Sequence, residues 1–92
     1  MEGSSVAFSW DEANVRHLAR HNVTPEEAEQ CYRNDPLIIE EQYEKGEERF
    51  LALGETQAAR RLAFVFTIRG DRIRFVTAYP MTHEQEQEFE EG

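Results

Sequence analysis

The stretch that decides the fold is RLAFVFTIRGDRIRFVTAYP, residues 61–80. From Arg61 to Arg69, Leu62, Phe64, Phe66 and Ile68 alternate with Ala63, Val65 and Thr67. A period of two is a strand signature. Small or apolar residues on both faces predict a central strand covered on both sides. Gly70-Asp71 makes a compact hairpin turn. Arg72 to Tyr79 then returns antiparallel and Pro80 stops it. Strict alternation puts Ile73, Phe75 and Thr77 on one face and Arg72, Arg74 and Val76 on the other.

Upstream, Arg49–Leu53 reads as a strand ended by Gly54, with a turn over 55–58. Leu37-Ile38-Ile39 opens another strand that fades into Glu40–Tyr43, and Glu44–Glu47 is a turn. Residues 5–8 read as a short strand.

Between them the period is helical. Ser9 with Glu12 is a capping-box pair, and Val15, Leu18 and Ala19 recur at helical spacing, which predicts a helix over 10–20. Asn22 suits a left-handed stop. Thr24, Pro25 and Glu27 start a second helix with Ala28, Cys31 and Tyr32 facing inward, and Asn34-Asp35-Pro36 ends it. Thr82 with Gln85 starts a third over about 83–90, whose one large apolar residue is Phe89. The expected fold class is α+β in two layers: two N-terminal helices on a sheet of three or four antiparallel strands, with a short C-terminal helix.

Ninety-two residues predict a single domain, 1–92. Apolar residues make up 39% and charged residues 32%, a globular rather than a disordered balance. No apolar run nears the roughly 20 residues of a membrane span. Met1–Ser5 lacks the basic and apolar regions of a signal peptide, so the expected location is the cytoplasm. The lone Cys31 forms no internal disulfide and reads as a small buried hydrophobe. Net charge is −9, opposite in sign to that of most nucleic-acid binders. Nine of the ten basic residues are arginine, however, with Arg69, Arg72 and Arg74 close together, and five glutamates crowd the last nine positions. An arginine-lined cleft on an acidic body is compatible with these counts.

The order of motifs resembles the BrnT family of toxins. FSWDEANVRHLARHNVTPEEAEQ (8–30), DPLII (35–39) and ERFLALGETQAARRLAFVFTIRGDRIRFVTAYPMTHEQEQEFEEG (48–92) together span residues 8 to 92. The family's Trp-Asp opening falls on Trp10-Asp11, its basic-His-X-Val step on Arg20–Val23, and its acidic helix start on Thr24–Ala28. The resemblance implies a RelE-like fold, RNA cleavage without metal or cofactor, and neutralisation by a cognate antitoxin, DNA-binding and of the ribbon-helix-helix type. The chain departs from the family pattern at Tyr79, where an arginine usually closes the last strand. It departs again in a terminal helix of Glu and Gln instead of arginine.

Metal-free RNA cleavage needs a base for the 2′-hydroxyl, fixed positive charge on the phosphorane and an acid for the leaving 5′ oxygen. Histidine suits the proton transfers and arginine the charge. His17 and His21 lie four apart and share a helix face, flanked by Arg16 and Arg20. One reading makes His21 the acid or base, joined by His17, with Arg20 clamping phosphate. In the other, His21 and Arg20 satisfy the last helix carbonyls. Zinc would need a third ligand beyond the two histidines, and only distant Cys31, His83 or a carboxylate is on offer. Arg49, Arg61, Arg72 and Arg74 on strands are phosphate-binding candidates, Arg72 and Arg74 on one face. Their plainer role is pairing with glutamates. Tyr79 is a candidate for stacking a base. Trp10 and Phe8 read as core. Two functions stay open: a BrnT-like ribonuclease, or a non-catalytic relative whose acidic surface binds a basic antitoxin or regulator.

Overall fold

The computed structural model describes residues 6–92. The elements in chain order are β1 (Ala7–Phe8), α1 (Glu12–Ala19), α2 (Pro25–Arg33), β2 (Leu37–Glu44), β3 (Glu47–Glu55), β4 (Arg61–Arg69), β5 (Arg72–Pro80) and α3 (His83–Glu91). The α+β class therefore stands. The sheet has five strands in the order β1-β5-β4-β3-β2. Its antiparallel part has four strands, within the three or four expected, and β1 adds a fifth by pairing parallel to β5. That makes the sheet mixed. Ser5, expected in this first strand, lies outside the described residues.

The hairpins form as their residues dictate. Lys45 and Gly46 both have positive φ (51° and 79°), the two-residue pattern that matches strand twist. At the next hairpin Gly70 takes φ 63°. β2 does not fade after Ile39. It pairs with β3 as far as Glu44↔Glu47, because backbone pairing across this tight turn does not need apolar side chains. Gly54 does not end β3 either. It lies inside the strand, where a Cβ would sit 3.1 Å from the Cys31 carbonyl oxygen and 3.2 Å from Cys31 Cβ. The residue is small because α2 crosses the strand there.

α2 starts as expected. Thr24 Oγ1 accepts the Glu27 amide, and Glu27 returns a carboxylate oxygen to the Thr24 amide. Thr82 and Gln85 do the same for α3. α1 differs. Its cap is Asp11, reciprocated by Asn14, and it begins two residues later than expected. Ser9 is engaged elsewhere: its amide donates to Ile73 O beside β1, and its carbonyl accepts from buried Asn14 Nδ2. Asn22, at φ 58°, turns the chain after α1 as expected.

One sheet face packs under α1 and α2. Leu18, Val23, Ala28 and Cys31 meet Ala52, Leu62, Phe64, Phe66, Ile73, Phe75 and Ala78. Phe8 and Trp10 both stack on Phe75, so they belong to the core as expected. The Trp10 indole N–H donates to Glu29 at 2.7 Å, satisfying its one polar atom. The opposite face is covered only at one end. There Leu53, Ala63 and Met81 are buried with Leu37, Ile39, Leu51, Tyr79 and Phe89 around them. The rest of that face is open, and the candidate site lies on it.

A one-residue bulge decides who shares the open face. Val65 pairs with Thr77 but Phe66 with Phe75, so Val76 has no partner on β4. Alternation resets there. Ala78, not Thr77, joins Phe75 in the core, while Thr77 and Tyr79 turn to the side of Arg74. The strict alternation expected from the sequence placed Thr77 on the wrong face.

Candidate functional site

Three adjacent strands place a row of polar residues across the open face: Arg49 on β3 pairs with Thr67 on β4, which pairs with Arg74 on β5. Cross-strand neighbours on one face are about 5 Å apart at Cβ, so the two arginine stems flank the threonine. The next row carries Glu47 and Arg69. α1 lies along the edge of β5 beyond β1 and brings His17 to the same place. The result is a cleft of about 240 Å³ lined by His17, Glu47, Arg49, Thr67, Arg69 and Arg74 among others. It is smaller than a drug-sized pocket of roughly 300–1,000 Å³. A smaller depression continues along the face past Arg49 to Leu51, Val65 and Tyr79.

His17 is exposed on α1, and its Nδ1 lies 3.2 Å from the Val76 carbonyl oxygen. A carbonyl only accepts, so Nδ1 carries a proton in this contact, and in the neutral ring that tautomer keeps the lone pair on Nε2. The bulge that frees Val76 therefore also orients His17. His21, one turn on, lies outside the lining of the cleft. Its ring meets Tyr79 edge-on at 6.0 Å, beside the second depression. The Tyr79 hydroxyl accepts a hydrogen bond from Gln85 at 3.3 Å.

The arginines are not equivalent. Arg74 holds Asp11 with two nitrogens, at 2.9 and 3.3 Å, which fastens the start of α1 to β5 and so fixes where His17 falls. That fork, followed by the Asn14 amide, holds the Asp11 carboxyl below the usual aspartate range. Arg69 holds Glu47 at 2.8 Å, and this bond lowers the glutamate and raises the arginine. Arg49 is bound loosely, 3.7 Å from Glu44. Its buried Nε and the Oγ1 of Thr67, a residue 1% exposed, have no hydrogen-bond partner among the described residues. Leaving a buried polar group unmatched costs about 1–3 kcal/mol, so two in one cleft need a reason.

Of the residues expected from the sequence, the cleft gathers His17, Arg49 and Arg74. Tyr79 and His21 sit beside its extension. Arg20 and Arg72 are exposed, line neither depression, and make no ion pair among the described residues. Arg61 is elsewhere: it binds Glu55 (3.1 Å), Glu90 (2.7 Å) and Glu86 (3.7 Å) and lies over the Phe89 ring. Its role here is to fasten α3, the helix with no fully buried residue, to β4. Sequence reading missed Arg60. This loop residue donates to the Asn22 carbonyl at 2.7 Å and to both Glu27 oxygens, and so ties the turn after α1 to α2 and the sheet. It also missed Thr67. The only signal for Thr67 was a hydroxyl in an otherwise apolar strand. Cys31 is fully buried, and desolvation pushes its thiol up to about 12, so it stays protonated and inert. Among the described residues no three His, Cys, Asp or Glu side chains cluster closely enough to hold a metal ion, and no helix is long and apolar enough to cross a membrane.

Fold and cleft together define a small α+β protein with a histidine at the rim of an arginine-lined sheet face. A family model described as the ribonuclease toxin, BrnT, of type II toxin-antitoxin systems matches residues 10–85. The chain belongs to this family, whose type implies a protein antitoxin as partner. No curated protein matches the chain.

Proposed function

We propose that this chain is a RelE-like endoribonuclease that cleaves RNA by attack of a 2′-hydroxyl on the adjacent phosphate, without metal. The observation that carries this reading is the meeting of His17, from the first helix, with Arg49, Arg69 and Arg74, from three strands, around one cleft. His17 Nε2 takes the 2′-hydroxyl proton as the 2′-oxygen bonds to phosphorus, and the 5′ oxygen whose bond to phosphorus breaks leaves with a proton from water. The arginines stabilise the charge that builds on the phosphorane. His21 and Tyr79 flank the direction in which the neighbouring nucleoside extends, where Tyr79 offers a ring face to a base. Arg20 and Arg72 serve as outlying backbone contacts. The antitoxin is proposed to be a basic, DNA-binding protein of the ribbon-helix-helix type, matched to a chain of net charge −9.

Purified chain incubated with RNA in EDTA tests this directly. Fragments ending in 2′,3′-cyclic phosphate are expected, and intact RNA at high protein concentration refutes the activity. Two observations favour the non-catalytic alternative: Arg69 and Arg74 are already paired with carboxylates, and Tyr79 stands where the family carries arginine. Tyr79→Arg separates the two. It adds a cation to the depression beside Arg49, so cleavage should rise severalfold if the cleft is a working site. No cleavage by either chain would leave a binding protein.

A further inference from the structure

The two unmatched polar atoms of the cleft lie on cross-strand partners. Thr67 Oγ1 and Arg49 Nε belong to residues paired across β3 and β4, and both are buried. Thr67 is 1% exposed, so its hydroxyl lies on the cleft floor between the stems of Arg49 and Arg74. A valine would fill the same strand position and leave no donor to satisfy. The terminal nitrogens of Arg49 and Arg74 lean toward Glu44 and Asp11, which leaves the Arg49 Nε–H inward of its ion pair.

We propose that Thr67 Oγ1–H and Arg49 Nε–H form a two-donor seat for one non-bridging oxygen of a phosphodiester. Thr67 is thus a positioning residue of the cleft. The inference rests on the proposed ribonuclease reading for the identity of the ligand as RNA, but the seat itself requires only a phosphate group. An anionic oxygen accepts from a hydroxyl and a guanidinium at once, which matches the two orphan donors in number and charge. With its phosphate held from the floor, the substrate's 2′-oxygen is presented sideways to His17 at the edge of β5. The carboxylates that hold Arg69 and Arg74 need not be displaced for this contact, which explains how a cleft with so many internal ion pairs can still take an anion.

Thr67→Val tests the seat. The probe is an RNA dinucleotide methylated on the 2′-oxygen, which cannot be cleaved, titrated into the full chain at low salt. The expected loss in affinity is about tenfold or more, the size of one charge-assisted hydrogen bond. The thermal midpoint should hold or rise, because an unsatisfied buried hydroxyl has been removed. Thr67→Ser should restore binding. Wild-type affinity in the valine variant overturns the proposal, as does failure of the wild-type chain to bind the probe. A fall in thermal midpoint without a fall in affinity also overturns it and makes the hydroxyl structural. The two readings fail separately. A chain that binds the probe through Thr67 but leaves RNA intact refutes the nuclease and keeps the seat. A chain that cuts RNA equally well with and without the hydroxyl refutes the seat and keeps the nuclease.

Discussion

The sharpest test of the proton-transfer role is His17→Asn. The asparagine Nδ2 lies at the same number of bonds from Cβ as the histidine Nδ1. It can therefore still donate to the Val76 carbonyl, which His17 meets at 3.2 Å. What disappears is the second ring nitrogen, the only part of the side chain that could act as base. His17 is exposed, so the change in stability should stay within about 0.5 kcal/mol. Loss of a positioned general base is worth roughly 10²- to 10⁴-fold in rate, or about 3–5 kcal/mol of barrier. Single-turnover cleavage of a short RNA should therefore slow by that factor. Affinity for the 2′-O-methyl dinucleotide should remain within about twofold, since Arg49, Thr67 and Arg74 are untouched. His21→Asn, outside the cleft lining, should lose less than about tenfold. A His17→Asn chain that cleaves at the wild-type rate, or a larger loss at His21, would refute the assignment and return the chemistry to the second histidine.

Gly54→Ala should destabilise the chain by about 1–3 kcal/mol, because the new methyl meets the Cys31 carbonyl, Cys31 Cβ and Phe64 within 3.3 Å at once; an unchanged urea midpoint would show that α2 shifts freely. Glu27 is held below the usual glutamate range: burial pushes it up, but the Thr24 amide and the Arg60 guanidinium outweigh that. Its contribution is therefore full above the unfolded value of about 4.3 and is lost as pH falls through the lower folded one. Stability of Glu27→Gln measured against pH should fall less steeply below about pH 4.3 than wild type, and parallel curves would refute the linkage. Cys31, pushed up to about 12 by burial, should resist thiol reagents at pH 8 in the native chain and react in denaturant. Reaction at the rate of a free thiol would mean that the interface of α2 with the sheet opens readily.

What could be read from the sequence was what is encoded locally. The capping boxes at Thr24 and Thr82 are contacts between residues three apart, so their spelling is their geometry. The Ser9 box failed on the same logic: Asp11 also caps, and Ser9 was drawn into pairing with Ile73, a residue far along the chain. The bulge at Val76 is a property of two strands together and leaves no mark on either alone. Yet it sets which face Tyr79 joins and which carbonyl orients His17. Arg61 shows the same limit for charge. As an arginine on a strand it resembled Arg49, but three glutamates from β3 and α3 converge on it and none of that convergence is local.

The net charge of −9 can now be weighed against the cleft. Fields of exposed charges decay over about 8 Å at physiological salt. The five glutamates of residues 84–91 ride on α3, which packs at the end of the open face marked by Phe89 and Arg61. An oxygen at Thr67 instead has the arginines of its own row as nearest charges. If the proposed substrate is RNA, the acidic body slows its approach but does not decide what happens at contact. Asp11 and Glu47 do act locally, and each is tied to an arginine that faces the cleft. They hold those guanidinium groups in place before a ligand arrives, at the expense of part of their charge. On the proposed reading, such an arrangement trades strength of binding for positioning, which suits catalysis that depends on orientation more than on grip.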